Sequence, residues 1–178
     1  MGLLDDRRDL SVALKLVVQI VLAIVLVVFF DVRLLRQLDG WMGLGMLPSI
    51  VLSVGWIVVI TNAMNFLDNM DGLAAGVTVV AGGLLLVTAL LSQQWFVAST
   101  LAVLVGTAAG FLLFNLPPAK IFLGDGGSLV IGMTLAVLTI RTTYWEPASD
   151  GDPWKGWYAM LMPLAVLAIP LYDFVSVT

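Results

Sequence analysis

Long apolar runs separated by short polar clusters set the pattern of this chain from Val12 to its end. A helix that crosses a bilayer needs about 20 mostly apolar residues, and runs of that kind lie at Val12–Phe30, Leu47–Ile60, Leu73–Leu91, Phe96–Phe114, Ser128–Ile140 and Ala159–Val177. They predict an all-α fold, a polytopic transmembrane helix bundle of about six spans, with residues 1–178 forming a single transmembrane domain. The second and fifth runs are short, and Gly45 and Met46 are candidates to lengthen the second. Gly82-Gly83 and the Gly106/Gly110 pair supply small surfaces on which neighbouring helices can approach closely.

Counting crossings places the polar stretches Leu3–Asp9, Thr61–Gly72 and Asn115–Gly127 on one face of the membrane. Asp31–Gly40, Ser92–Trp95 and Arg141–Trp157 fall on the other. Every concentrated Asp/Asn/Gly cluster therefore lands on the first face, as one shared site demands. Basic residues do not orient the bundle, because Arg7, Arg8, Lys15 and Lys120 balance Arg33, Arg36, Arg141 and Lys155.

Composition sharpens the class. Hydrophobic residues make up 61% of the chain and charged residues 11%, and mean hydropathy is +1.07, which marks an integral membrane protein with the lipid bilayer as its solvent. The net charge of −4 comes without a basic stripe, so nucleic acid is not an expected partner. The chain contains no Cys and no His, which leaves Asp, Asn and Lys to carry any chemistry.

Three clusters offer that chemistry. Asp5 and Asp6 precede the first span, and Lys15 and Gln19, one helical turn apart, share a face. An acidic helix start and a snorkelling lysine would account for them equally well. In the second cluster Asn62, Asn65, Asp68 and Asp71 recur every three residues. On a helical turn the Asp68 and Asp71 carboxylates would face one direction, with Asn65 beside them. Carboxylates and amides at the edge of hydrocarbon cost several kcal/mol unless a cation, ligand or water satisfies them, and such oxygens suit Mg²⁺. The plain alternative is that Asp71 caps the next span. In the third cluster Pro117-Pro118 stops a helix, Gly124-Asp125-Gly126-Gly127 admits close backbone approach, and Ser128 opens a helix whose free N–H groups can hold an anion. A Gly-rich turn ended by a serine cap, with Phe122 as a lipid anchor, is the bland counterpart.

In order along nearly the whole chain, these clusters resemble the polyprenyl-phosphate N-acetylhexosamine-1-phosphate transferases, glycosyltransferase family 4. The stretch from Leu3 through Lys15 and Gln19 is similar to the family's first acidic motif, and Asn62–Leu73 to its Asn-x-x-Asn-x-x-Asp-x-x-Asp-Gly-Leu block. Asn115–Ser128 is similar to its Pro-Ala-Lys-x-Phe-x-Gly-Asp-x-Gly-Ser block, and Pro163–Val177 resembles the undecaprenyl-phosphate N-acetylglucosamine-1-phosphate transferase branch. The resemblance implies transfer of a sugar 1-phosphate, N-acetylglucosamine 1-phosphate for that branch, from a UDP-sugar to polyprenyl phosphate. UMP is released, Mg²⁺ is the cofactor, and cell-envelope polysaccharide synthesis is the setting.

By position, the resemblance makes Asp125 the metal ligand and places Asp5, Asp6 and Lys15 by the polyprenyl phosphate. Asp68 and Asn65 fall by the diphosphate. Asn69, Met70 and Asp71 form the uridine pocket with Phe122 stacked on the base and Asn115 in support. It also implies a multi-pass protein of the plasma membrane with cytoplasmic motif loops, and leaves a homodimer open. Asn69 stands where the family has Gly, and Gly126 where it has a small side chain. The family's chains extend beyond this one at both ends, with helices before Leu3 and a His-rich loop after Thr178, so the resemblance makes this chain the central part of a longer enzyme. The competing expectations are a catalytically inactive remnant, a phospho-N-acetylmuramoyl-pentapeptide transferase, and a transporter, which would set its polar residues at mid-span rather than in loops at one face.

Overall fold

The computed structural model describes residues 11–36, 39, 44–142, 167, 168 and 172. Asp5, Asp6 and most of the run Ala159–Val177 lie outside the described residues. All regular structure among the described residues is helical: α1 (Val12–Phe29), α2 (Leu47–Leu67), α3 (Leu73–Leu91), α4 (Trp95–Asn115) and α5 (Gly124–Thr142). Of these, α1 to α4 are long and apolar enough to cross a membrane. The fifth carries Asp125 in its first turn and Arg141 in its last, which lowers its apolar content. α2 packs along α5 and α3 along α4, while α1 lies against α2 and α3 against α5. Ile57, Ile60, Met64, Leu67, Leu85, Leu101, Leu135 and Leu167 are fully buried between them.

Each helix end follows from local chemistry. Ser11 caps α1, its side chain accepting the Leu14 N–H at 3.3 Å. Pro48 sits in the first turn of α2, where a missing N–H costs nothing. Gly72 starts α3 at φ +77°, a left-handed conformation that a residue with a Cβ adopts only with strain. Leu116 turns extended ahead of Pro117 and ends α4.

Two boundaries differ from the sequence expectation, and both concern the polar clusters. α2 runs on to Leu67 instead of ending at Ile60. The polar side chains are accommodated within the added turns, Thr61 Oγ1 donating to the Ile57 carbonyl at 2.6 Å and Asn62 Nδ2 to the Val58 carbonyl at 2.8 Å. α5 opens at Gly124, with Ser128 already inside it, its hydroxyl donating to the Gly124 carbonyl at 3.0 Å. Polar residues taken for loops thus belong to helix ends that face other helices.

The close approach of α2 and α5 depends on a glycine absent from the sequence expectation. A Cβ at Gly132 would stand 2.9 Å from the Thr61 Cα and 3.0 Å from the Thr61 carbonyl oxygen, so only hydrogen fits there. Of the expected small-residue contacts, Gly82 meets α4, where a Cβ would lie 2.8 Å from Val105 Cγ2. Gly83, Gly106 and Gly110 have nothing within 4 Å of that position and pack against no neighbour among the described residues.

Candidate active site

The N-terminal end of α1, the C-terminal end of α2 and the N-terminal end of α5 meet at one end of the bundle. Lys15 Nζ of α1 lies 2.7 Å from Asp125 Oδ2 of α5, a half-buried ion pair. Asn65 Nδ2 of α2 donates to Asp125 Oδ1 at 3.1 Å and to Ser128 Oγ at 2.8 Å. Residues far apart in the chain are thereby joined through one carboxylate, and the expectation that the three clusters share a face is met for Lys15, Asn65, Asp68 and Asp125. Gly132, on the buried face of α5, admits Thr61 of α2 and so sets the separation across which Asn65 reaches Asp125.

These helix ends enclose a cavity of about 290 Å³ lined by Asn62, Asn65, Phe66, Asp68, Asn69 and Asp125. That is near the lower limit for small-molecule sites. Desolvation raises the Asp68 carboxyl from its ordinary 3.8 to about 6; the Gly124 backbone N–H it accepts lowers it, and the Asp125 charge raises it further. Asp125 sits in the first turn of α5, where free backbone N–H groups favour negative charge.

The cavity has the donor set of a hard-cation site. Asn65 spends its amide protons on Asp125 and Ser128, and Asn62 spends its own on Gln19 Oε1 at 2.6 Å and on Val58. Asn69 Nδ2 is held by the Phe66 carbonyl at 2.8 Å. Amide oxygens are then what Asn62 and Asn65 have left to offer beside the carboxylates of Asp68 and Asp125. An all-oxygen set of this kind fits Mg²⁺. Among the described residues no three acidic side chains converge, so the amides matter to the fit.

The residues expected to form a uridine pocket are distributed differently. Only Asn69 lines the cavity. The Asp68 and Asp71 carboxylates do not face one direction: α2 ends between Asn65 and Asp68, the helical spacing lapses, and Asp71 Oδ2 accepts the Ala119 N–H at 3.0 Å. Nor does Asp71 cap α3, whose N-cap is Gly72 without a side-chain bond. Asn115, buried at the end of α4, accepts the Gly72 N–H through Oδ1 at 2.9 Å and donates through Nδ2 to the Ile121 carbonyl at 2.8 Å. Asp71 and Asn115 therefore lash the turn carrying Met70 to the loop carrying Phe122, and both of those side chains are exposed. Phe66 is absent from the sequence expectation, which names Gln19, Asn62 and Ser128 in the three clusters without giving their side chains a role in the site. Helical spacing signalled Gln19 and Phe66, which lie one turn from Lys15 and Asn62, whereas nothing local linked Ser128 to Asn65.

Comparison with known proteins identifies the family. The profile of the family described as Glycosyl transferase family 4 matches residues 1–143. A Bacillus subtilis (strain 168) protein named probable undecaprenyl-phosphate N-acetylglucosaminyl 1-phosphate transferase is 34% identical over 97% of this chain and 47% of its own length. The decaprenyl-phosphate N-acetylglucosaminephosphotransferase of Mycobacterium tuberculosis (strain CDC 1551 / Oshkosh) is 36% identical over 97% of this chain and 46% of its own. A phospho-N-acetylmuramoyl-pentapeptide-transferase of Listeria monocytogenes (serotype 4b, strain CLIP80459) is 45% identical, but over only 48% of this chain and 26% of its own. The chain thus spans about half the length of the relatives that match it end to end. With the profile covering all five helices and the site they build, the chain belongs to glycosyl transferase family 4.

Proposed function

We propose that this chain forms the membrane-embedded catalytic core of an enzyme that transfers N-acetylglucosamine 1-phosphate from a UDP-sugar to polyprenyl phosphate. The observation that carries the reading is the oxygen-lined cavity of Asn62, Asn65, Asp68 and Asp125 at one end of the bundle, with Lys15 paired to Asp125. The relatives that match over most of this chain are named for N-acetylglucosamine phosphate transfer to polyprenyl phosphates, which supports the same substrates here.

In this reaction an oxygen of the lipid phosphate attacks the sugar-bearing phosphorus of the donor. The bond from that phosphorus to the bridging oxygen breaks, and UMP leaves with the bridging oxygen. Such a transfer asks mainly for positioning and for cancellation of charge. Asp125, with Asp68 and the Asn62 and Asn65 amide oxygens, would hold Mg²⁺, which would supply charge neutralisation at the diphosphate. Lys15 offers its ammonium to the incoming lipid phosphate, reached from the α1 side. Asp68, whose carboxyl burial raises to about 6 in the metal-free protein, would give up its proton as the cation enters and face it as a carboxylate. The resemblance gives Asp5 and Asp6, which precede α1 in the sequence, a part at the lipid phosphate as well. Phe122 and Met70 offer apolar surface to the uracil, while Asp71 and Asn115 hold the loops that carry them. Because UDP-sugars are cytosolic, this end of the bundle faces the cytoplasm, in the plasma membrane.

The identity of the released nucleotide tests the proposal. Purified protein in micelles with UDP-N-acetylglucosamine, undecaprenyl phosphate and Mg²⁺ is expected to release UMP and form a lipid diphosphate sugar. Release of UDP, or no product, overturns it.

A further inference from the structure

Gln19 lies one turn beyond Lys15 on α1, within the first half of a span whose remaining residues are almost wholly aliphatic, and only 5% of its surface is exposed. A buried amide there is costly unless bonded, and packing alone would be better served by leucine. Its Oε1 accepts the Asn62 Nδ2, which also donates to the Val58 carbonyl. A backbone carbonyl can only accept, so Val58 fixes which end of the Asn62 amide carries the protons. Gln19 must then present oxygen, and Asn62 Oδ1 remains for the cavity that Asn62 lines.

We propose that Gln19 is a positioning residue for the cation site: it anchors the second proton of the Asn62 amide and thereby keeps the Asn62 oxygen directed at the cation. Gln19 itself touches neither cation nor substrate. Without its oxygen the Asn62 amide is held by Val58 alone and turns more freely, presenting N–H groups where an acceptor is needed. Partners that orient metal ligands from outside the coordination shell typically govern affinity by about 10–100-fold. The inference rests on the proposed Mg²⁺ reading of the cavity.

Mn²⁺, an oxygen-seeking ion visible by electron paramagnetic resonance, serves as the probe, titrated into purified protein in detergent micelles. Wild type is expected to bind one Mn²⁺ that Asp125→Asn abolishes; if no such site exists, the cation reading fails and takes the inference with it. Given that site, Gln19→Met, similar in shape but lacking the carbonyl, is expected to weaken Mn²⁺ about tenfold with an unchanged thermal midpoint. Gln19→Glu, which keeps an accepting oxygen, is expected to bind at least as tightly as wild type. Asn62→Leu weakens binding too, and adding Gln19→Met to it brings no further loss, as coupled residues require. Should Gln19→Met fail to fold, Gln19→Leu provides the same contrast against Gln19→Glu. Wild-type affinity in the apolar variant, or a loss that adds to that of Asn62→Leu, overturns the proposal while leaving the cation site standing.

Discussion

At the end of the bundle opposite the site, Asp31 and Asp39 are matched by arginines of the same segment. Arg33 bonds Asp31 at 2.7 Å and Asp39 at 3.3 Å, and Arg36 pairs with Asp31. Asp39 also accepts the Ser49 N–H at 3.1 Å and the Ser49 hydroxyl at 2.8 Å, and Arg141 ties α5 back to the Phe30 carbonyl at 2.8 Å. At the site end Lys15 pairs with Asp125, Asn65 donates to the same carboxylate, and Asp68 lies beside them with its carboxyl raised by burial. One end consumes its charges internally and stiffens the fold. The other gathers two carboxylates beside one lysine, at a cost in stability that burial of Asp68 shows, an arrangement that makes sense where a cation and phosphates complete it.

Asp125→Asn tests that contrast most strongly. Replacing a charged metal ligand while keeping its shape is expected to lower Mg²⁺-dependent UMP release by about 10³-fold or more, since metal stabilisation is worth several kcal/mol. The yield of folded protein should hold. At the opposite end Asp39→Asn is the control, expected to lower the thermal midpoint and leave turnover of the surviving protein intact. If both variants lose stability and neither loses turnover selectively, the two ends do not differ as described.

Phe122→Ala asks whether the exposed aromatic faces base or lipid. A stacked base is worth about 1–3 kcal/mol in ground and transition states alike, so the donor KM should rise by roughly 5- to 150-fold while kcat changes little. An unchanged donor KM with a raised polyprenyl-phosphate KM would make Phe122 a lipid anchor. Gly132→Ala comes next in size. Its methyl would be driven into the Thr61 backbone, with an expected destabilisation of about 1–3 kcal/mol. Because Asn65 reaches Asp125 across the same contact, activity should fall beyond what lost protein explains; a wild-type specific activity would separate α2–α5 spacing from the site.

How far these features could be read from sequence depended on where the polar atoms went. α1, α3 and α4 fall within a residue of their apolar runs, because lipid-facing helices announce themselves by composition. α2 and α5 were cut short because Asn62, Asn65 and Asp125 look like loop residues until the partner helix that satisfies them is known. The convergence of Lys15, Asn65, Asp68 and Asp125 followed from parity and from the family resemblance. The bond from Asp71 to Ala119 did not, since it depends on how two loops meet. Gly132 was illegible for a simpler reason: in an apolar run, one glycine gives no sign of which neighbour lies against it.

The smallest expected effect concerns Asp68 and the stability this end gives up. Its carboxyl is raised from 3.8 to about 6, chiefly by burial, so between those pH values the folded protein binds more protons than the unfolded chain. Stability from this group is therefore fully present below about pH 4, declines as pH rises through 6, and is lost at pH 7 and above. Asp68→Asn cannot ionise and escapes that loss. In chelator-treated micelles at pH 7.5 its thermal midpoint should exceed wild type by about 2 °C, and the difference should shrink as pH falls toward 5. Activity should be lost in the same variant, a gain in stability bought with function. A midpoint below wild type at pH 7.5 would mean that the Asp68 charge is matched in the folded protein, as the charges of Asp31 and Asp39 are at the opposite end.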